Sequence, residues 1–251
     1  MRHNPRFWTC SIGVADPVLA GHGHVGRARA LCVYLARLGL PCGAIQRLTP
    51  GSTVWADIVD APPDWQLDGC RFVWIGGPPV WPWSIPMTPR TIPVHPDFVG
   101  VWEGNREGPL LLGWGGTPPP DPFPGWDGIL LRGMTRAEIV ALARRARGAI
   151  VRGGHLAFEL VATGMPVVVV IPEWLRHREG IEEARRLGLW ATEEALAADD
   201  WDATKRVRIF EQSGWACAVR VLQLLGFRIQ RVHWPTPLRE PTGNGLPGRR
   251  I

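Results

Sequence analysis

Apolar positions recur along this chain with two periods, and they alternate in order. From Val25 onward Ala28, Leu31, Cys32, Leu35 and Leu38 fall at helical spacing, and Gly39 follows as a C-cap. Before that helix, "RFWTCSIGVA" (6–15) reads as a strand. After it, "CGAIQRL", "WADIVDA" and "RFVWIGG" (71–77) read as further short strands. The stretch "GGPPVWPWSIPMTPRTIPVHP" (76–96) breaks the rhythm. Proline removes ladder donors, so no regular structure is expected there, and a loop this long suggests a lid or a binding surface.

A polar linker, "EGNREGP" (103–109), precedes a second series. "LLLGWGG" and "DGILL" (127–131) predict strands, separated by "GTPPPDPFPG". "TRAEIVALARRA" (135–146) predicts a helix with Thr135 as N-cap and Glu138 at capping-box distance, and Arg144, Arg145 and Arg147 at its solvated end. "GAIV" is a strand, "HLAFELVAT" a helix closed by Gly164, and "PVVVVIP" a fully buried strand of parallel-sheet character. Helices at 178–188 and within 203–225 complete the series. Strands alternating with helices of this length indicate parallel α/β units. Two such series predict an α/β protein with two Rossmann-like, doubly wound domains and a cleft between them. The divisions are residues 1–107, 108–228 and a C-terminal tail, 229–251.

Composition narrows the class without choosing a function. The 251 residues are 45% hydrophobic and 20% charged, as in globular proteins. No apolar run approaches the roughly 18 residues of a membrane span, and "MRHNPRFWTC" lacks a signal peptide's apolar core, so a cytoplasmic location is expected. Five scattered cysteines without a CxxC pair argue against a disulfide framework or a zinc site. His22 and His24 have no third ligand nearby, and no acidic pair of the DxD type sits in the cleft, so no metal and no cofactor is expected. A net charge of +5, almost all of it arginine, favours phosphate-bearing partners, nucleotide or nucleic acid.

Two glycine-rich turns carry candidate chemistry. In "LAGHGHVGRARALCVYLARLGL" (19–40), Gly21, His22, Gly23 and His24 stand at the mouth of a helix. They make either a loop that approaches a ligand closely or a plain turn. In "IVRGGHLAFELVATGMPVVVVIP" (150–172) a strand ends at Arg152, Gly153 and Gly154 permit close approach, and a helix starts at once. Its unpaired N–H groups suit a diphosphate, with Glu159 one turn further on to reach ribose hydroxyls. A plain strand–helix connection is the alternative.

The second turn, with "LRHREGIEEARRLGLW" behind it, resembles the donor-binding half of GT-B glycosyltransferases, in particular the MurG-like enzymes and the PseG-type UDP-sugar hydrolases. "VADPVLAGHGHVGRARALCVYLARLG" is similar to the PseG-type pattern of Asp, G-x-G-H-x-x-R and a helix, and "LLLGWGGT" (110–117) to the start of the family's second domain. The resemblance implies that Gly153, Gly154 and His155 face a diphosphate. It likewise implies that Glu159 binds ribose, that Met134 after Gly133 lies near uracil, and that Arg178 is in the donor site. It makes His24 the catalytic base, with Gly21, Gly23 and Arg27 shaping its loop and Asp16 orienting it or capping a turn. Leu156 departs from the hydroxyl residue common in the relatives. Trp81 and Trp83 are loop anchors or an acceptor-stacking surface. The expected activity is inverting transfer from a UDP-sugar to a hydroxyl acceptor, a hydroxymethylated DNA base among the acceptors considered. The rivals are UDP-sugar hydrolysis and a non-catalytic module that binds a nucleotide-sugar or nucleic acid.

Overall fold

The computed structural model describes residues 10–14, 23–40, 42–45, 53–57, 72–75, 84–114, 127–171, 179–196 and 201–227. Asp16, Gly21, His22, Trp81, Trp83, Arg178, the "GTPPPDPFPG" segment and the tail 229–251 lie outside them.

Two parallel sheets form. The first takes β1 (Cys10–Val14), β2 (Cys42–Ile45), β3 (Thr53–Asp57), β4 (Phe72–Ile75) and β5 (Ser84–Ile85) in the order β2-β1-β3-β4-β5. Helix α1 (Gly23–Arg37) makes the crossover from β1 to β2 that parallel pairing requires, and sets Cys10 opposite Cys42. The second sheet takes β6 (Leu110–Trp114), β7 (Ile129–Leu130), β8 (Gly148–Arg152) and β9 (Val167–Val169) in the order β7-β6-β8-β9. Its helices are α2 (Arg136–Arg145), α3 (His155–Ala162) and α4 (Glu179–Arg186), and α5 (Ala203–Leu224) follows.

Local chemistry explains the best-read elements. Thr135 accepts from the Glu138 amide and the Glu138 carboxylate accepts from the Thr135 amide, the capping box expected at the start of α2. The Thr135 hydroxyl also donates to Glu138 Oε2, and that bond, followed by the one from the Thr135 amide, holds the Glu138 carboxyl below its ordinary value. Gly39 and Gly164 have φ of +84° and +98°, the left-handed geometry that closes a helix. Along β6 the period of two sends Leu111 into one core and Leu110 and Leu112 into another, so both faces of the second sheet are covered.

The Pro-rich stretch 76–96 is not devoid of regular structure, because Ser84–Ile85 pairs with β4 as an edge strand. An edge position tolerates Pro86, which follows the strand directly. Nor is its described part a surface lid. Ile85, Ile92 and Val94 are buried, and Pro96–Phe98 forms a short 3-10 turn with Phe98 in the core. The valine run of "PVVVVIP" is not a fully buried strand. Among the described residues β9 pairs only with β8, and Val170 is 47% exposed. The 103–109 segment is pinned to the end of α2: the Glu103 amide donates to Arg144 O, and a Cβ on Gly108 would overlap the Arg145 carbonyl.

Helix α5 joins the two cores. Phe210 packs among Val151, Phe158 and Val161 on α3's side. Cys217, Ala218 and Val221 pack with Leu31, Tyr34, Ile75 and Ile85 on α1's side. Tyr34 is the chain's only tyrosine. Its hydroxyl donates to Val94 O at 3.1 Å, and its ring meets Trp215 edge-on at 5.1 Å. Burial pushes the phenol up from 10.0 to about 12, against a smaller opposing effect of Arg37. Between those values the unfolded chain has lost a proton that the folded chain retains. Stability is therefore intact below pH 10 and falls as pH rises towards 12, by about 2–3 kcal/mol. Phenolate absorbance of the folded protein should titrate near 12; titration at 10 would contradict this packing.

Candidate functional site

The site begins where β8 ends. Gly153 and Gly154 have φ of +47° and +80°, and Gly154 serves as N-cap of α3 with ψ of −173°, a combination open essentially to glycine alone. Among the described residues no side chain caps α3, so its first turn presents backbone N–H groups and the positive end of the helix dipole. An alanine Cβ at Gly154 would meet nothing within 4 Å, so what requires glycine is the backbone angle, not crowding.

The first turn of α1 lies directly against the first turn of α3. A Cβ on Gly23 would stand 3.1 Å from His155 Cβ. One on Gly26 would stand 3.0 Å from His155 Cδ2 and 3.8 Å from Glu159 Oε1. The glycines of the "GHGHVGR" helix mouth were expected to clear space for a ligand. At positions 23 and 26 the cleared space is filled by His155, because two helices this close leave no room for a Cβ. His24 is the second residue of α1, and Arg27 is buried in the same helix with its guanidinium near Gly23.

His155 lies under α1 with its side chain 2% exposed. Its Nε2 is 3.4 Å from Glu159 Oε1, an electrostatic contact without hydrogen-bond geometry, and among the described residues neither ring nitrogen has a hydrogen-bond partner. Gly133 is exposed at φ +78°. Met134 packs against the core below, and its amide donates to Leu131 O at 3.3 Å.

Glu159 opens onto a cavity of about 190 Å³. Val25, Gly26 and Arg29 of α1, His95 and Phe98 of the 3-10 turn, and Arg136 and Ile139 of α2 complete its wall. His95 is buried and is the N-cap of that turn, its Nδ1 accepting from the Asp97 amide at 3.3 Å. Asp97 Oδ2 is also 3.3 Å from Nδ1 and accepts from Arg136 Nε at 3.1 Å. Burial first, then Arg136, pushes the imidazole below its ordinary value, while Asp97 and Glu159 oppose the change. The ring is therefore neutral near pH 7, and a proton on Nε2 fits the bond that Nδ1 accepts.

Reading the sequence singled out Glu159 but missed His95, Asp97, Arg136 and Arg29. One local signal existed: His-Pro-Asp in "VHPDF" places a side-chain acceptor just before a proline at a helix start. Among the described residues, no cluster of three or more His, Cys, Asp or Glu could hold a metal, and no helix is long and apolar enough to cross a membrane. No family model matches the chain, and no curated protein matches it either.

Proposed function

We propose that the protein is an inverting GT-B glycosyltransferase that moves a sugar from UDP to a hydroxyl acceptor. In this reading residues 1–107 form the acceptor domain and 108–228 the donor domain. The observation that carries it is the Gly153–Gly154 turn, which opens an uncapped helix N-terminus next to the α1 turn that bears His24. The resemblance of both turns to that family adds to it. The two parallel sheets suit two units, but the cores cross that boundary: Ile92, Val94 and Phe98 pack in the core of the second sheet, and Cys217, Ala218 and Val221 in that of the first.

The chemistry follows from these parts. The acceptor oxygen attacks the anomeric carbon as the bond to the diphosphate breaks. His24 takes the hydroxyl proton, and the α3 N–H groups stabilise the charge that grows on the departing UDP. Attack opposite the leaving group inverts the anomeric centre. Water in place of the acceptor would give the hydrolase. The arginine-rich charge favours an acceptor that carries phosphates, as a hydroxymethylated DNA does.

Titration calorimetry with UDP tests the turn itself. Wild-type protein is expected to bind UDP. Gly154→Val, which forces a β-branched residue into a glycine-only conformation at a cost of about 1–3 kcal/mol, is expected to stay folded and bind at least about tenfold more weakly. No UDP binding by the wild type, or equal binding by a folded variant, would remove the basis of the reading.

A further inference from the structure

We propose that His95 is a proton-driven switch in the connector between the two sheets. Neutral, its Nδ1 caps the Pro96–Phe98 turn. Protonated, the same atom releases the turn and donates to the Asp97 carboxylate. Both partners are already in place. Nδ1 lies 3.3 Å from the Asp97 amide, which donates to it, and 3.3 Å from Asp97 Oδ2. A lone pair on Nδ1 satisfies the amide and has no proton to offer the carboxylate. A proton there serves the carboxylate and leaves the amide without its acceptor. One nitrogen cannot serve both, so protonation decides which contact exists.

The residue type makes the cap conditional. Ser, Thr, Asn and Asp are the usual N-caps, and each keeps its acceptor oxygen through the neutral range. An imidazole is the side chain whose ordinary proton uptake falls inside that range. Pro96 at the first position has no N–H, so the Asp97 amide is the first donor of the turn that a cap can reach. The Asp97 carboxylate is held ready by Arg136, whose Nε donates to Oδ2 at 3.1 Å. What the cap steadies matters to both sheets. Val94, just before His95, is buried and accepts from Tyr34 of α1, while Phe98 lies in the core of the second sheet. Beyond the turn, the amides of Gly100 and Trp102 donate to the carbonyls of Ala162 and Thr163 at the end of α3.

The groups around the ring set the direction. Asp97 in its own turn and Glu159 of α3 favour the proton, while Arg136 of α2 and Arg37 of α1 oppose it. Arg29 of α1 shares the cavity wall with His95, and His155 stands 3.4 Å behind Glu159. The His95 side chain is only 8% exposed, and the hydration lost on burial is the largest effect of all. The folded protein therefore takes up this proton below the ordinary value of 6.5, after the unfolded chain has done so. The stability that the neutral cap contributes is complete above pH 6.5 and is lost as pH falls through the folded value. The switch concerns the connector alone, so it stands whether or not the chain transfers sugars.

The experiment is a nitrogen-detected NMR titration of the full chain from about pH 8 to about pH 5, with thermal unfolding at the same pH values. At the alkaline end His95 should carry its proton on Nε2 and show Nδ1 as an acceptor nitrogen. On acidification the ring should titrate below 6.5, and the Asp97 amide should shift with the same midpoint as its hydrogen bond is lost. Asp97→Asn should move the His95 midpoint lower still, because it removes a charge that favours the proton. His95→Asn supplies a cap that does not titrate, and should shrink the fall in melting temperature between about pH 7 and about pH 5. Should that variant fail to fold, the wild-type titration and Asp97→Asn decide between the outcomes. A His95 midpoint at or above 6.5, an Asp97 amide that does not follow the ring, or an unchanged pH profile in folded His95→Asn would overturn the proposal.

Discussion

Gly214→Ala should destabilise the protein by about 2 kcal/mol or more, although alanine is the better helix former. Gly214 lies in the middle of α5, where exchanging glycine for alanine favours the helix by about 1 kcal/mol. Packing decides against it. A Cβ at position 214 would overlap Cε2 and Cζ of Tyr34 and lie 2.7 Å from Cδ2, where carbon atoms normally rest about 3.5–4.0 Å apart. The ring has nowhere to go: Tyr34 is buried, its hydroxyl is held by Val94 O, and Trp215 stands at its edge. Overpacking of this kind costs about 1–3 kcal/mol and occasionally more, and this contact belongs at the upper end. Thermal unfolding should show the loss, and a Tyr34→Leu background should recover part of it as a coupling between the two sites. A raised melting temperature in Gly214→Ala alone would mean that α1 and α5 are not packed this closely.

His24→Ala should lower UDP release from the proposed donor by about 100- to 10,000-fold, the usual worth of a positioned general base. The affinity for UDP should stay within about twofold, because the proposed base serves the acceptor and not the departing diphosphate. The position is informative because His24 is the residue after Gly23, whose Cβ-free face meets His155 at the start of α3. A variant that loses UDP affinity and turnover together would have disturbed the α1–α3 contact instead. Full turnover in His24→Ala with UDP still bound would assign the base to another residue.

Signals confined to a few neighbouring residues were legible in the sequence. The capping box of Thr135 and Glu138, the closing glycines 39 and 164 and the strand–Gly–Gly–helix turn at 153–154 all form where the pattern puts them. Each depends on backbone angles and contacts within one turn, which residue type controls directly. Features set by distant partners were not legible. The run of valines in β9 carries no mark of pairing with one strand alone among the described residues, so a half-covered strand read as a fully buried one. Prolines in the connector announced a loop, but not that Ile85, Ile92 and Val94 would be drawn into the cores. The Glu159 cavity draws on α1, the 3-10 turn, α2 and α3, which are scattered from residue 25 to residue 159. No spacing rule connects them. The function of Gly26 is equally non-local, since only the fold reveals that His155 occupies the missing Cβ.

We propose that the two glycine turns form one sugar-transfer site. Its most direct test is UDP release by the purified protein from a panel of UDP-sugars, with and without acceptors that include hydroxymethylated DNA. Release is expected to need an acceptor and to disappear in His24→Ala. Rapid release without acceptor would make the protein a hydrolase, and no release from any donor, with or without acceptor, would contradict sugar transfer at this site.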